Sequence, residues 1–202
     1  VWSQVIDDFR NQRLQRTYKP ELADLKDMPD ARRDHFTSKK YIPFDVVQTM
    51  RGCPYPCEFC SVSTANGKTF RFRPIDDVMA ELRKLSPRIL FADDNVMIHR
   101  AYSKELFERM APLKKHWVGQ CSLATVKKLE NVELMAKSGC RALFIGFESI
   151  DEETVKFTGK RQNKPSQYKE TMEMLHEHGI ATWGSFVFGF DTGVDPFYLL
   201  AA

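Results

Sequence analysis

The chain has 202 residues, 43% of them hydrophobic and 28% charged, with a net charge of +3. That is the balance of a soluble globular protein with one substantial core, and the charge is too small to argue for a nucleic-acid partner. No apolar run approaches the length needed to span a bilayer, so no membrane association is expected.

The elements follow in chain order. Trp2, Val5, Ile6 and Phe9 show the spacing of an amphipathic helix over residues 1–15, which needs something to bury its apolar stripe. The start does not resemble a secretory signal. Arg10, Arg13, Arg16 and Lys19 have helical spacing too and read as a solvated face. From Tyr18 to Lys40 the pattern dissolves into charged residues broken by Pro20 and Pro29, a connector over a surface. Residues 1–40 are therefore read as an N-terminal helix and linker, and residues 41–202 as the core.

Within the core a regular alternation predicts strand Phe44–Met50, helix Pro74–Leu85, strand Arg88–Ala92, helix Tyr102–Lys115 and strand Trp117–Cys121. Helix Val126–Lys137 follows, stopped by Gly139, and then strand Arg141–Phe147. Ser149 with Glu152 matches a capping box for the next helix, Ser166–His178 is a further helix closed by Gly179, and Ile180–Phe190 is a fifth strand. Five strands alternating with helices imply parallel βαβ units. Polar residues gather where strands end: Cys53 to Cys60, Asp93-Asp94-Asn95, Glu148-Ser149 and Asp191-Thr192. The active-site face of a βα barrel collects residues in this way, so the predicted fold is α/β, a partial TIM-like barrel ending after about five strands.

Cys53-Pro54-Tyr55-Pro56-Cys57-Glu58-Phe59-Cys60 places three cysteines at C-x3-C-x2-C spacing after the first strand. Thiolates suit zinc or iron-sulfur centres, and both normally take four protein ligands. No histidine lies near the triplet, and Cys121 and Cys140 are distant, so the simplest accounting is a 4Fe-4S cluster with one iron left open. A redox dithiol and a structural zinc with an unusual fourth ligand remain the alternatives. Five cysteines is an odd count, and three have a better use than disulfides, which predicts a reducing, cytoplasmic setting.

The spacing, the aromatic Phe59 before the last cysteine, and the flanking Arg51-Gly52 and Ser61-Val62 resemble the radical S-adenosylmethionine (radical SAM) superfamily, most closely its cobalamin-associated branch. The resemblance implies a six-stranded partial barrel, of which this chain reaches five strands. It also implies a cluster on Cys53, Cys57 and Cys60, S-adenosylmethionine chelated to the open iron, and its reductive cleavage to a 5'-deoxyadenosyl radical. Methyl transfer to an unactivated carbon is one known outcome in that branch. An electron donor such as flavodoxin or ferredoxin would supply the electron, and the substrate is not readable. The cobalamin-binding signature Asp-x-His-x-x-Gly is absent, so cobalamin is expected only with a longer protein.

The same resemblance suggests roles at the strand ends. Asp93, Asp94 and Asn95 stand where the family binds the ammonium of S-adenosylmethionine, although many members carry Gly-Gly-Glu there; their other reading is a helix cap. Glu148 matches a ribose-binding position, and an ionised carboxylate can accept from two vicinal hydroxyls. Its alternative is a helix-dipole contact. Gly184 and Gly189 resemble a strand pattern that admits adenine, and Phe59 is a further adenine contact. Cys121 and Cys140 read as small buried hydrophobes, and no histidine is given a role. The competing functions are a metal-binding or electron-transfer module with a fourth ligand and a methylthiolating RNA-modifying relative, which the weak positive charge disfavours. An unclosed sheet also predicts self-association through its open edge.

Overall fold

The computed structural model describes residues 1–19, 21–26, 28–36, 43–190 and 192, and Asp191 therefore lies outside the described residues. Strand residues alternate between a buried and an exposed face, and the buried ones collect helices on one side of a parallel sheet. In chain order the elements are α1 (Trp2–Arg10), β1 (Asp45–Val47), β2 (Met50–Arg51), α2 (Val62–Ala65), β3 (Arg71–Phe72), α3 (Ile75–Lys84) and β4 (Arg88–Phe91). Then come α4 (Arg100–Met110), β5 (His116–Cys121), α5 (Leu123–Val126), α6 (Leu129–Lys137), β6 (Cys140–Glu148), α7 (Glu152–Phe157), α8 (Tyr168–Glu177) and β7 (Ala181–Phe186).

The sheet order is β1-β4-β5-β6-β7, every pair parallel. A doubly wound sheet reverses its strand order at a switch point; this order simply follows the chain, as a barrel wall does. Val47, Ile89, Phe91, Trp117, Leu143 and Ile145 pack against Val78, Leu82, Phe107, Met110, Met135 and Leu175 of the helices in one buried core. Trp117 stacks on Phe107 with ring centroids 4.9 Å apart. On the other face, Val46, Leu90, Phe144 and Trp183 are exposed. No helix among the described residues is long and apolar enough to cross a membrane.

Several expectations shift, each for a local reason. The run Phe44–Met50 forms no single strand: β1 stops at Val47, the chain is drawn onto Asp93, and Met50–Arg51 pairs antiparallel with Arg71–Phe72 instead. The helix expected from Tyr102 starts at Arg100, because the Nδ1 of His99 accepts the Tyr102 N–H and caps it, so His99 has a role that sequence analysis did not assign. It ends at Met110 and gives way to one 3-10 turn. The helix expected over Val126–Lys137 is α6 and begins at Leu129, Val126 being the last residue of the short α5. The fifth strand ends at Phe186 rather than Phe190. Among the described residues nothing covers most of the α1 stripe: Trp2 and Phe9 are 78% and 68% exposed. Of the basic stripe that follows, only Arg10 is helical.

Ser149 is not the cap of α7. Asp151 is, its carboxylate accepting the Thr154 N–H at 2.7 Å and the Thr154 hydroxyl at 2.8 Å, while the Ser149 hydroxyl accepts the Asp151 N–H. A charged acceptor at a helix N-terminus outcompetes a hydroxyl. The Thr154 backbone bond and then its hydroxyl hold the Asp151 carboxyl below its usual range. With its folded-state pKa depressed, this cap contributes stability above the unfolded carboxylate range and loses it as pH falls through the folded value. Asp151→Ala is expected to cost about 1 kcal/mol in urea denaturation at neutral pH, a difference that shrinks in acid.

Candidate active site at the sheet's C-terminal end

The cysteine loop is held at both ends. On one side Asp93, buried at the end of β4, accepts the Thr49 N–H at 2.6 Å, the Met50 N–H at 3.1 Å and the Thr49 hydroxyl at 2.5 Å. Burial pushes its carboxyl up to about 6, against the pull of those three bonds. Gly52 then turns the chain at φ +100°, where a Cβ would fall 2.2 Å from the Thr69 carbonyl oxygen, so a glycine is needed for both conformation and space. On the other side the Glu58 N–H donates to the Thr158 carbonyl at 3.4 Å, and Gly159 lies against Pro56.

Cys53, Cys57 and Cys60 are free and partly exposed. All three line one cavity of about 290 Å³, together with Phe59, Asp94, Asn95, Glu148 and Lys160. Burial raises the Cys53 and Cys57 thiols above their ordinary value; Lys160 pulls both down, and the neighbouring cysteines push both up. Among the described residues the His, Cys, Asp and Glu side chains form no group of three close enough for one metal ion. A cubane cluster instead takes its thiolates on separate irons. A larger, shallower groove of about 770 Å³ lies outside the β2–β3 hairpin and contains none of these cysteines.

Glu148 ends β6 in the left-handed region at φ +67°, a strained conformation for a residue with a side chain. The β6–β7 register shifts there, and the Val187 N–H donates to the Glu148 carbonyl at 2.9 Å. Its buried carboxylate meets the Lys160 ammonium at 2.5 Å, and Lys160 also donates to the Gly146 carbonyl at 2.9 Å. A Cβ on Gly146 would sit 2.3 Å from Glu148 Oε1 and 2.5 Å from Lys160 Nζ, so the missing side chain makes room for the ion pair. Asn163 braces the turn through Gly146 and Phe147 carbonyls.

The other expected contacts divide. Asp94 lines the cavity with one oxygen accepting from Asn66 at 3.1 Å, and Asn95 is buried with its carbonyl accepting the Ser122 N–H. Asp93 faces the β1–β2 turn and does not line the cavity. Neither Gly184 nor Gly189 lines it: the space at Gly184 is taken by the Phe147 ring at 3.0 Å, and Gly189 has nothing within 4 Å of a built Cβ. Cys121 and Cys140 are buried in the core as expected, and burial pushes the Cys121 thiol up to about 12. Sequence reasoning missed Lys160, Gly146 and the Thr158–Gly159 buttress. Lys160 belongs to no motif, and twelve residues separate it from Glu148; the nearest signal was the glycine two positions before that glutamate.

The residues suit a polar, sulfur-ligated group. Three soft donors line one cavity with charged groups of both signs, and the Ser122 hydroxyl on the same lining is buried with no hydrogen-bond partner among the described residues.

Comparison with known proteins places the chain in a family. The profile of the radical SAM superfamily matches residues 47–196. The bacteriochlorophyllide d C-12(1)-methyltransferase of Chlorobaculum tepidum is 35% identical over 205 residues, covering 95% of this chain and 44% of that protein. The hopanoid C-2 methylase of Rhodopseudomonas palustris is 26% identical over 157 residues, 72% of this chain and 30% of its own length. The chain thus spans less than half of these relatives. In fold it resembles TsrM from Kitasatospora setae, solved with cobalamin and a 4Fe-4S cluster (TM-score 0.65, 21% identity, 73% of this chain and 31% of that one). It also resembles OxsB, a cobalamin-dependent radical enzyme (TM-score 0.68, 16% identity, 94% and 33%).

Proposed function

The chain belongs to the radical SAM superfamily, and from that premise we propose that it is the catalytic core of an enzyme that binds a 4Fe-4S cluster and S-adenosylmethionine and, in its full-length form, methylates an unactivated carbon. One observation carries the reading: Cys53, Cys57, Cys60 and Glu148 line a single cavity at the C-terminal end of a parallel sheet whose order follows the chain. The relatives support methylation. Cobalamin enters the proposal only for the full-length protein.

When bound, the cluster and S-adenosylmethionine together supply a 5'-deoxyadenosyl radical through one-electron cleavage of the sulfonium. This chain's residues bind and orient. Cys53, Cys57 and Cys60 hold the cluster. Glu148 accepts from ribose hydroxyls, and the Lys160 ammonium balances its charge and offers a donor to the ligand's carboxylate. Asp94 is better placed than Asp93 to meet the ligand's ammonium, since both Asp93 oxygens are already taken by the β1–β2 turn. Asp93 acts as a positioning residue for the loop. The Ser122 hydroxyl offers one further bond.

The test is anaerobic iron-sulfur reconstitution followed by absorption and EPR spectroscopy with and without S-adenosylmethionine. The expected result is a cluster whose EPR signal changes when S-adenosylmethionine is added. A fully ligated electron carrier or a zinc site would not respond, and that outcome would overturn the proposal.

A further inference from the structure

Resting on the role given to Asp94 above, we infer that Arg71 is a positioning residue for S-adenosylmethionine binding: it ties the connector ahead of the core to the turn that orients Asp94, and so makes that connector part of the site.

Packing does not place this turn. Helix α2, which follows the cysteine loop, is four residues long and buries none of them. The chain beyond it is set by polar bonds instead. Asn66 closes α2 with its N–H on the Val62 carbonyl at 2.7 Å, and its Nδ2 donates to one Asp94 oxygen at 3.1 Å. A carboxylate with one oxygen fixed in this way presents the other to a ligand ammonium. The next residue, Gly67, accepts the Cys53 N–H at 3.2 Å, so the same turn also holds the first cysteine of the loop.

Arg71 reaches the turn from β3. Its Nη2 donates to the Asn66 carbonyl at 2.8 Å and its Nη1 to the Ala23 carbonyl at 2.6 Å. A planar guanidinium holds two carbonyls at one separation, which a flexible ammonium does not. Beside this bond lies the groove of about 770 Å³, lined by Leu22, Asp24 and Lys26 of the connector and by Phe70, Phe72 and Tyr102 of the core, so Arg71 spans a place where the two are not packed together.

The connector itself is a fixed point. Leu22 lies over Gly67, where a Cβ would fall 2.5 Å from its Cδ1, and Leu25 is buried. Further along, Arg33 meets the buried Glu81 at 2.6 Å, and Arg73 holds the other oxygen of that carboxylate at 2.5 Å. A chain of bonds therefore runs from an anchored connector through Arg71 and Asn66 to Asp94. Breaking it frees a turn that has no buried side chain to hold it, and a charge-assisted contact depends on the geometry that is then lost.

The experiment titrates S-adenosylmethionine into the cluster-loaded full-length protein by anaerobic calorimetry. Arg71→Met should bind it about tenfold more weakly while its iron and sulfide content stays at the wild-type level. Arg71→Lys, which keeps the charge without the fork, should recover only part of the loss. Asp94→Asn should cost a similar factor by itself, and adding Arg71→Met to it should cost nothing more, because a residue that acts through Asp94 then has nothing left to position. Asn66→Ala, which leaves the backbone ties in place, should repeat both results, and it carries the test if Arg71→Met fails to fold. Wild-type affinity in Arg71→Met or in Asn66→Ala, or losses that simply multiply when either is combined with Asp94→Asn, would overturn the inference and leave the cluster reading intact. Loaded wild-type protein that binds no S-adenosylmethionine would overturn both.

Discussion

Cys57→Ala is expected to yield protein that takes up no iron-sulfur cluster on anaerobic reconstitution, with iron and sulfide near zero and no absorption band near 400 nm. The reason is stoichiometric: three thiolates already leave one iron of a cubane without a protein ligand, and a second open iron removes the chelate. Cys53→Ala and Cys60→Ala should behave alike. Because Cys57 is partly exposed, its loss should change stability by no more than about 1 kcal/mol, so an empty site cannot be blamed on unfolding. Cys121→Ala and Cys140→Ala should show the reverse: full iron content, with a cavity penalty of about 1–2 kcal/mol in denaturant titrations. Normal iron in Cys57→Ala would sink the cluster assignment.

Lys160→Met should strike both stability and ligand binding. Removing one partner of a buried ion pair strands the other charge, at a cost of about 3–5 kcal/mol, and here the stranded group is the Glu148 carboxylate. Its side chain is only 6% exposed and that of Lys160 12%, so water reaching it from the cavity replaces the lost ammonium only in part. Glu148→Gln, which keeps shape and loses charge, should weaken S-adenosylmethionine binding by roughly tenfold or more in calorimetry, the worth of a charge-assisted hydrogen bond. The double variant separates the effects: removing both charges should restore much of the stability lost in Lys160→Met and none of the affinity. Wild-type affinity in Glu148→Gln would assign the carboxylate a purely structural role.

The sequence alone determined the features that depend on neighbours along the chain. Alternating apolar periods located every parallel strand and the principal helices, because a residue's face follows directly from a period of two or 3.6. Three thiols on one loop pointed to the metal-sulfur centre proposed above, since ligand type and count are read from the spacing. Short-range rules failed where distant groups competed for the same atoms. Asp93 reads in sequence as a residue aimed into the mouth of the barrel; forty-four positions back in the chain, Thr49 offered it a hydroxyl and an N–H, and a buried carboxylate takes the donors nearest to it. Ser149 reads as a helix cap until Asp151, with a full charge, takes that place. Lys160 carries no local signal at all, and only the fold brings its ammonium through the space left by Gly146 onto Glu148. The apolar period of α1 fixes which residues share a face but not whether anything covers that face. Periodicity is a property of one segment, whereas burial, pairing and pKa belong to two segments at once, and only the tertiary structure decided them.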